Sequence, residues 1–147
     1  EYDLDSIYPV LVTDGFIVMA YYSFYEVSTA PRNALEYHYM MYDLATGKRM
    51  TEKDIFSDVG KAKEIIEKYI WEQTTEWQSG EEEDASQVTN EDVFNGNYFL
   101  NEDKFFVCYN SSVYFIPGGI DIEIPKEAMK SCLKQDSPLY KYWFGKE

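Results

Sequence analysis

Apolar and β-branched residues run through positions 8–13 and 16–25 with Asp14-Gly15 between them, the dipeptide that best fits the positive φ angles of a type I′ turn, so a first hairpin is predicted. In the second run, Tyr21-Tyr22-Ser23-Phe24-Tyr25 places Tyr22 and Phe24 on one face and Tyr21 and Tyr25 on the other. One set belongs to the core. The other could be exposed, as an anchor for a protein or a stacking surface for sugar, although Tyr is also ordinary strand filler. After a break over 26–33, Leu35, Tyr37, Tyr39 and Met41 alternate with Glu36, His38, Met40 and Tyr42, which predicts a third strand with one drier face. The segment 42–48 ends it in a turn where Gly47 takes the left-handed conformation.

The period then changes. Thr51 and Asp54 form a near capping box that opens a short turn anchored by Ile55 and Phe56. Over 61–77, Ala62, Ile65, Ile66, Tyr69 and Ile70 fall on one helical face, with Lys63, Glu64, Glu67 and Lys68 outside it. That helix dissolves into 79–92, which begins as a run without apolar period and contains four consecutive acids, Glu81, Glu82, Glu83 and Asp84. A second capped turn is expected at Thr89 to Phe94. Two runs, 97–100 and 105–109, flank a four-residue connection as a second hairpin; strands at 113–116 and 120–124 follow, separated by Pro117-Gly118-Gly119. Pro125 suits a first helical turn, and Ala128, Met129, Cys132 and Leu133 supply the stripe of a closing helix.

The fold class is therefore α+β: one domain over 1–147, a mixed or antiparallel sheet of hairpins in about six or seven strands, backed by one long and one or two short helices. The core is assigned to about 8–133, with an acidic loop at 79–92 and a tail at 134–147.

Composition adds charge to this frame. The chain has 147 residues, 27 acidic and 13 basic, for a net charge of −14, yet 45% of residues are hydrophobic and 18% aromatic. Such a chain folds and displays its acids on the surface. The field repels phosphate backbones and anionic lipids, which argues against nucleic-acid or membrane binding and for a cationic partner. No apolar run reaches membrane-spanning length. The sequence starts at Glu1 without initiator Met or leader, as expected of a mature or trimmed chain whose targeting signal has been lost.

Candidate chemistry is sparse, and no catalytic residue, cofactor or metal site is assigned. His38, the single imidazole, sits mid-strand between Tyr37 and Tyr39, with no strained nucleophile turn nearby, and a structural role is expected. Cys108 and Cys132 fall on a strand and on a helix; they could bridge in an oxidising compartment, but two separate buried thiols are the favoured reading. No carboxylate pair is marked for glycosidase work. The run 81–84 lacks the alternation and central Gly of a calcium loop, and solvation is its simplest role.

Three segments resemble a known family: 42–51 (Tyr-Asp-Leu-Ala-Thr-Gly-Lys-Arg-Met-Thr) with Asp54-Ile55-Phe56; Asn97-Tyr98-Phe99-Leu100 leading to Phe105-Phe106-Val107; and Gly118-Gly119-Ile120-Asp121-Ile122-Glu123-Ile124-Pro125. In this order and spacing the chain resembles the C-terminal domain of RsiV-type anti-sigma factors, over roughly 16–133. The resemblance implies a helix-backed mixed sheet and an extracytoplasmic bacterial domain of the cell envelope that binds rather than catalyses. Members capture lysozyme on anti-sigma factors, accompany polysaccharide deacetylases, or stand in lipoproteins. The chain departs from the family at 30–34, where a Gly-x-His-Gly segment is usual, and at 109–119, which keeps Tyr114 and Phe115 but not the usual Pro-Tyr pattern.

Taken together, the expected role is non-enzymatic recognition of a basic protein such as a lysozyme, with Tyr109, Tyr114, Phe115, Glu81, Glu82, Glu83 and Asp84 as candidate partner-binding residues. The alternatives are a cell-wall glycan-binding module using exposed aromatics and an accessory domain that packs against a neighbouring one.

Overall fold

The computed structural model describes residues 2–26, 34–74, 98–109 and 120–145. Two long strands, β1 (Tyr2–Val12) and β2 (Phe16–Glu26), form the expected hairpin, and β3 (Ala34–Asp43) pairs antiparallel with the far side of β2. β1 starts well before the apolar run because pairing with the long β2 carries it back through Asp5 and Asp3 to Tyr2. Pro9 is tolerated in this outer strand at a register shift between Pro9 and Leu11, where a missing N–H costs little.

The turn differs from the predicted type I′ geometry. Gly15 has no positive φ; instead Thr13 Oγ1 accepts from the amides of Gly15 (3.3 Å) and Phe16 (3.0 Å) and donates to the Phe16 carbonyl at 2.9 Å. Space is tight at Gly15, where a Cβ would lie 3.1 Å from Pro138 Cβ. At the next turn Gly47 does take φ +68°, and Asp43 Oδ1 accepts from the amides of Ala45 (2.7 Å) and Thr46 (3.1 Å).

α1 (Glu52–Ile55) begins at Thr51, and α2 (Val59–Thr74) starts two residues ahead of the predicted helix because Asp58 caps it, accepting from Lys61 N–H at 2.9 Å. β4 (Tyr98–Leu100), β5 (Lys104–Tyr109) and β6 (Ile120–Pro125) make a second antiparallel sheet in that order. Its Leu100, Phe105, Val107, Ile122 and Ile124 share a core with Ala62, Ile66 and Ile70 of α2 and with Phe16, Val18 and Met41 of the first sheet. Tyr39 lies 4.8 Å from Phe99, which stacks on Phe106 at 4.5 Å, so an aromatic ladder joins the sheets. The described strands thus divide into two three-stranded antiparallel sheets. The expected strand at 113–116, the turn at 89–94 and the loop at 79–92 lie outside the described residues.

The closing helix is shorter than its apolar stripe. α3 (Lys126–Met129) tightens into a 3₁₀ turn (Lys130–Cys132), and Leu133 turns extended to bridge Phe56. Ser57 and Lys134 donate their amides across this bridge, at 2.9 and 2.8 Å, to the carbonyls of Cys132 and Ile55.

The last residues correct the expected tail. Ser137 caps α4 (Pro138–Phe144), with Pro138 in the first turn, and Leu139, Trp143 and Phe144 enter the core. Trp143 Nε1 donates to the Asn101 carbonyl at 2.8 Å. A seven-residue helix shows too little periodicity to stand out in the sequence, and only its packing site makes it stable.

Candidate functional site

Of the predicted binding residues, Tyr109 closes β5 with its backbone opposite Ile120. Tyr114, Phe115, Glu81, Glu82, Glu83 and Asp84 lie outside the described residues.

The described residues form two other surface features. The first is a cleft of about 660 Å³ where the Thr13–Gly15 turn, the turn after β3 and the start of α4 converge. Three carboxylates (Asp14, Asp43, Asp136) line it against one ammonium (Lys141), together with Tyr142. Tyr142 meets the Phe16 ring edge-on at 5.5 Å; its hydroxyl pKa is raised, first by burial and then by the carboxylates of Glu102 and Asp103. An adjoining hollow of about 290 Å³ shares Asp43, Asp136 and Pro138 and adds Lys48, Arg49 and Lys134. The Asp-x-x-Thr-Gly-Lys segment thus serves as a turn that shapes both hollows, and Asp43 is already committed to the backbone of that turn.

The second feature is the outer face of the first sheet. Register places Val12, Ile17 and Tyr42 in one cross-strand row, Pro9, Met19 and Met40 in the next, and Ile7, Tyr21 and His38 in a third. None of the nine is buried, and none carries a charge with His38 neutral. The signal for this face lies in β2, where 16–22 is apolar or aromatic at both parities, the pattern of a strand covered on both sides. Tyr22 and Phe24, on the core-side parity, are half-buried, so the Tyr-rich run does not split into a buried and a bare set.

Neither thiol is poised for chemistry. Cys108 and Cys132 are free and buried. Burial, reinforced by the Asp121 carboxylate, raises the Cys108 pKa strongly, and burial pushes Cys132 up to about 11. Tyr98, stacked on Phe105 at 5.2 Å, is pushed by burial up to about 12. His38 stands across from Tyr21 in the sheet, ring centroids 6.2 Å apart. Among the described residues no group of three His, Cys, Asp or Glu is placed to hold a metal ion, and no helix is long and apolar enough to cross a membrane.

No protein-family model matches the chain, and no curated protein matches it. Solved structures do. A DUF3298 family protein from Pseudomonas aeruginosa PAO1 superposes with a TM-score of 0.63 at 13% identity, covering 90% of this chain and 62% of that one. A member of the same family from Bacteroides fragilis NCTC 9343 superposes with a TM-score of 0.71 at 19% identity, covering 98% of this chain and 58% of that one. DUF3298 domains are RsiV C-terminal-like, so the resemblance seen in the sequence holds at the level of the fold. The chain spans less than two thirds of the length of either protein.

Proposed function

We propose that this chain is a non-enzymatic, extracytoplasmic binding domain of the bacterial envelope, of the kind found in lipoproteins and anti-sigma factors, that recognises a basic protein such as a lysozyme. The observation that carries this reading is the acid-lined cleft of Asp14, Asp43 and Asp136 on a domain of net charge −14. Carboxylates held on turns of a rigid scaffold focus a negative potential that draws in a cationic surface and speeds encounter. The fold shared with DUF3298 proteins supports the reading; Tyr109, Tyr114, Phe115 and Glu81 to Asp84 are the further contacts proposed from the sequence. The buried thiols and the strand-held imidazole fit a binding role, since catalysis needs its nucleophile and base exposed to substrate.

The test is calorimetric titration with a basic lysozyme at low and moderate salt, with cytochrome c as a cationic control. Tight binding to lysozyme alone that survives moderate salt is the expected result. Equal behaviour of the two proteins, or no binding, overturns the reading.

A further inference from the structure

An antiparallel sheet that buries one face in the core ordinarily turns charged and polar side chains outward on the other. Over the three rows nearest the β1–β2 turn, the sheet of β1, β2 and β3 does not; the row beyond them holds Asp5, Ser23 and Glu36. Phe16, Val18 and Met41 point into the core, while the opposite face carries Ile7, Pro9, Val12, Ile17, Met19 and Met40 with no charge among them. Ile7 and Val12 are 62% and 63% exposed. A contiguous apolar surface of this kind marks a contact with another molecule.

We propose that this outer face is a docking surface for a partner protein that presents an apolar patch ringed by lysine and arginine. The proposal rests on the reading that the partner is a basic protein and adds which surface holds it. Charge decides the occupant. Beyond the Ile7 row the next cross-strand row is Asp5, Ser23 and Glu36, so the apolar centre has an acidic rim at that end of the face. A second copy would bring two such rims, and two net charges of −14, together. An anionic bilayer meets the same repulsion. The rings of this face, Tyr21, His38 and Tyr42, stand in the outer two rows, and the row between them is centred on two thioethers facing each other across β2 and β3, which offer a sugar no ring to stack on. Methionine side chains adapt to a protein surface of irregular shape. Strand and residue spacings make the three rows roughly 300 Å². That is the size of an apolar centre, with the rim supplying the rest of the roughly 800 Å² per partner of a standard interface.

The experiment uses the whole chain and two double variants on this face, Met19→Glu with Met40→Glu, and Ile7→Ser with Val12→Ser. Both leave Phe16, Val18 and Met41 in place, and circular dichroism checks folding; if the first variant is unfolded, the second, at the most exposed positions, carries the test. Each is titrated with a basic lysozyme and cytochrome c at two salt concentrations, and sedimented alone. The expected result is lysozyme binding by the native chain, weakened about tenfold or more by either variant at moderate salt, with the native chain monomeric. Unchanged lysozyme affinity in the folded variants overturns the docking surface and leaves the proposed function standing. Absence of lysozyme binding by the native chain overturns both. A native dimer that the variants dissociate overturns the proposal by assigning the face to a second copy.

Discussion

The side-chain amide of Gln73, in the last turn of α2, pairs with the backbone of Glu123 in β6: its Nε2 donates to the Glu123 carbonyl at 2.7 Å and its Oε1 accepts from the Glu123 amide at 3.0 Å. Among the described residues β6 is an outer strand of its sheet, and these backbone groups face away from β5. Gln73 satisfies them as the peptide of a further strand would, and blocks that stretch of edge against pairing with another chain. On the same residue, the Glu123 carboxylate meets Lys104 Nζ at 2.6 Å. Replacing Gln73 with Ala should lower stability by about 1 kcal/mol in urea titration and speed hydrogen exchange at the Glu123 amide. Gln73→Glu should do at least as much damage, because a carboxylate facing the Glu123 carbonyl has no proton to give it.

Trp143 makes α4 part of the core rather than an appendage. Its ring is 6% exposed and its indole N–H holds the Asn101 carbonyl at the β4–β5 turn. Trp143→Ala should cost about 3–5 kcal/mol, and Trp143→Phe, which loses mainly the hydrogen bond, about 1–2 kcal/mol. Chemical denaturation followed by circular dichroism measures both, since the change removes one of the three tryptophans and alters the fluorescence signal itself.

At the start of α1, Asp54 accepts from the Thr51 amide at 2.8 Å and from its hydroxyl at 3.0 Å, and these bonds hold its pKa below the usual carboxylate value. A group depressed in the folded state contributes stability above its unfolded pKa of about 3.9 and loses it as pH falls through the folded value. The wild type should therefore lose stability below pH ~4 more steeply than Asp54→Asn, with the two curves converging in acid. The carboxylate is exposed to solvent, so the effect is small, and NMR titration of Asp54 gives the more direct reading of its lowered pKa.

Both thiols should resist alkylation in the folded chain. Burial raises Cys132 to about 11 and Cys108 further, so at pH ~8 neither supplies much thiolate. Mass spectrometry after iodoacetamide treatment should show no adduct under native conditions and two in urea. Rapid native labelling of Cys108 would contradict its burial.

Gly15 and Gly47 should fail differently. Gly47→Ala forces a side chain to φ +68° and should cost about 1 kcal/mol, with Gly47→Asn cheaper. Gly15→Ala has no such backbone penalty; its cost depends on whether the Pro138 ring can retreat from a Cβ at 3.1 Å. Thermal melts of the three variants separate the two cases.

Local order determined a good deal in this protein. The i, i+3, i+4 spacing of Ala62, Ile65, Ile66 and Ile70, the alternation at Tyr39 and Met41, and the turn chemistry of Asp43 and Gly47 each act within a few residues, and each is visible in the chain as written. Of the candidate site, charge and aromatic surplus were legible, but not the surface that gathers them. Asp14, Asp43 and Asp136 share a cleft only because the Thr13–Gly15 turn closes against Pro138, more than a hundred residues away in the chain. Tertiary structure likewise decided that strands of similar composition split into two sheets, that α4 is core, and that Ile7 and Met19 look outward while Val18 and Met41 look inward. The period of a strand says which side chains share a face; which face is covered depends on the elements that pack against it, and these come from distant parts of the sequence.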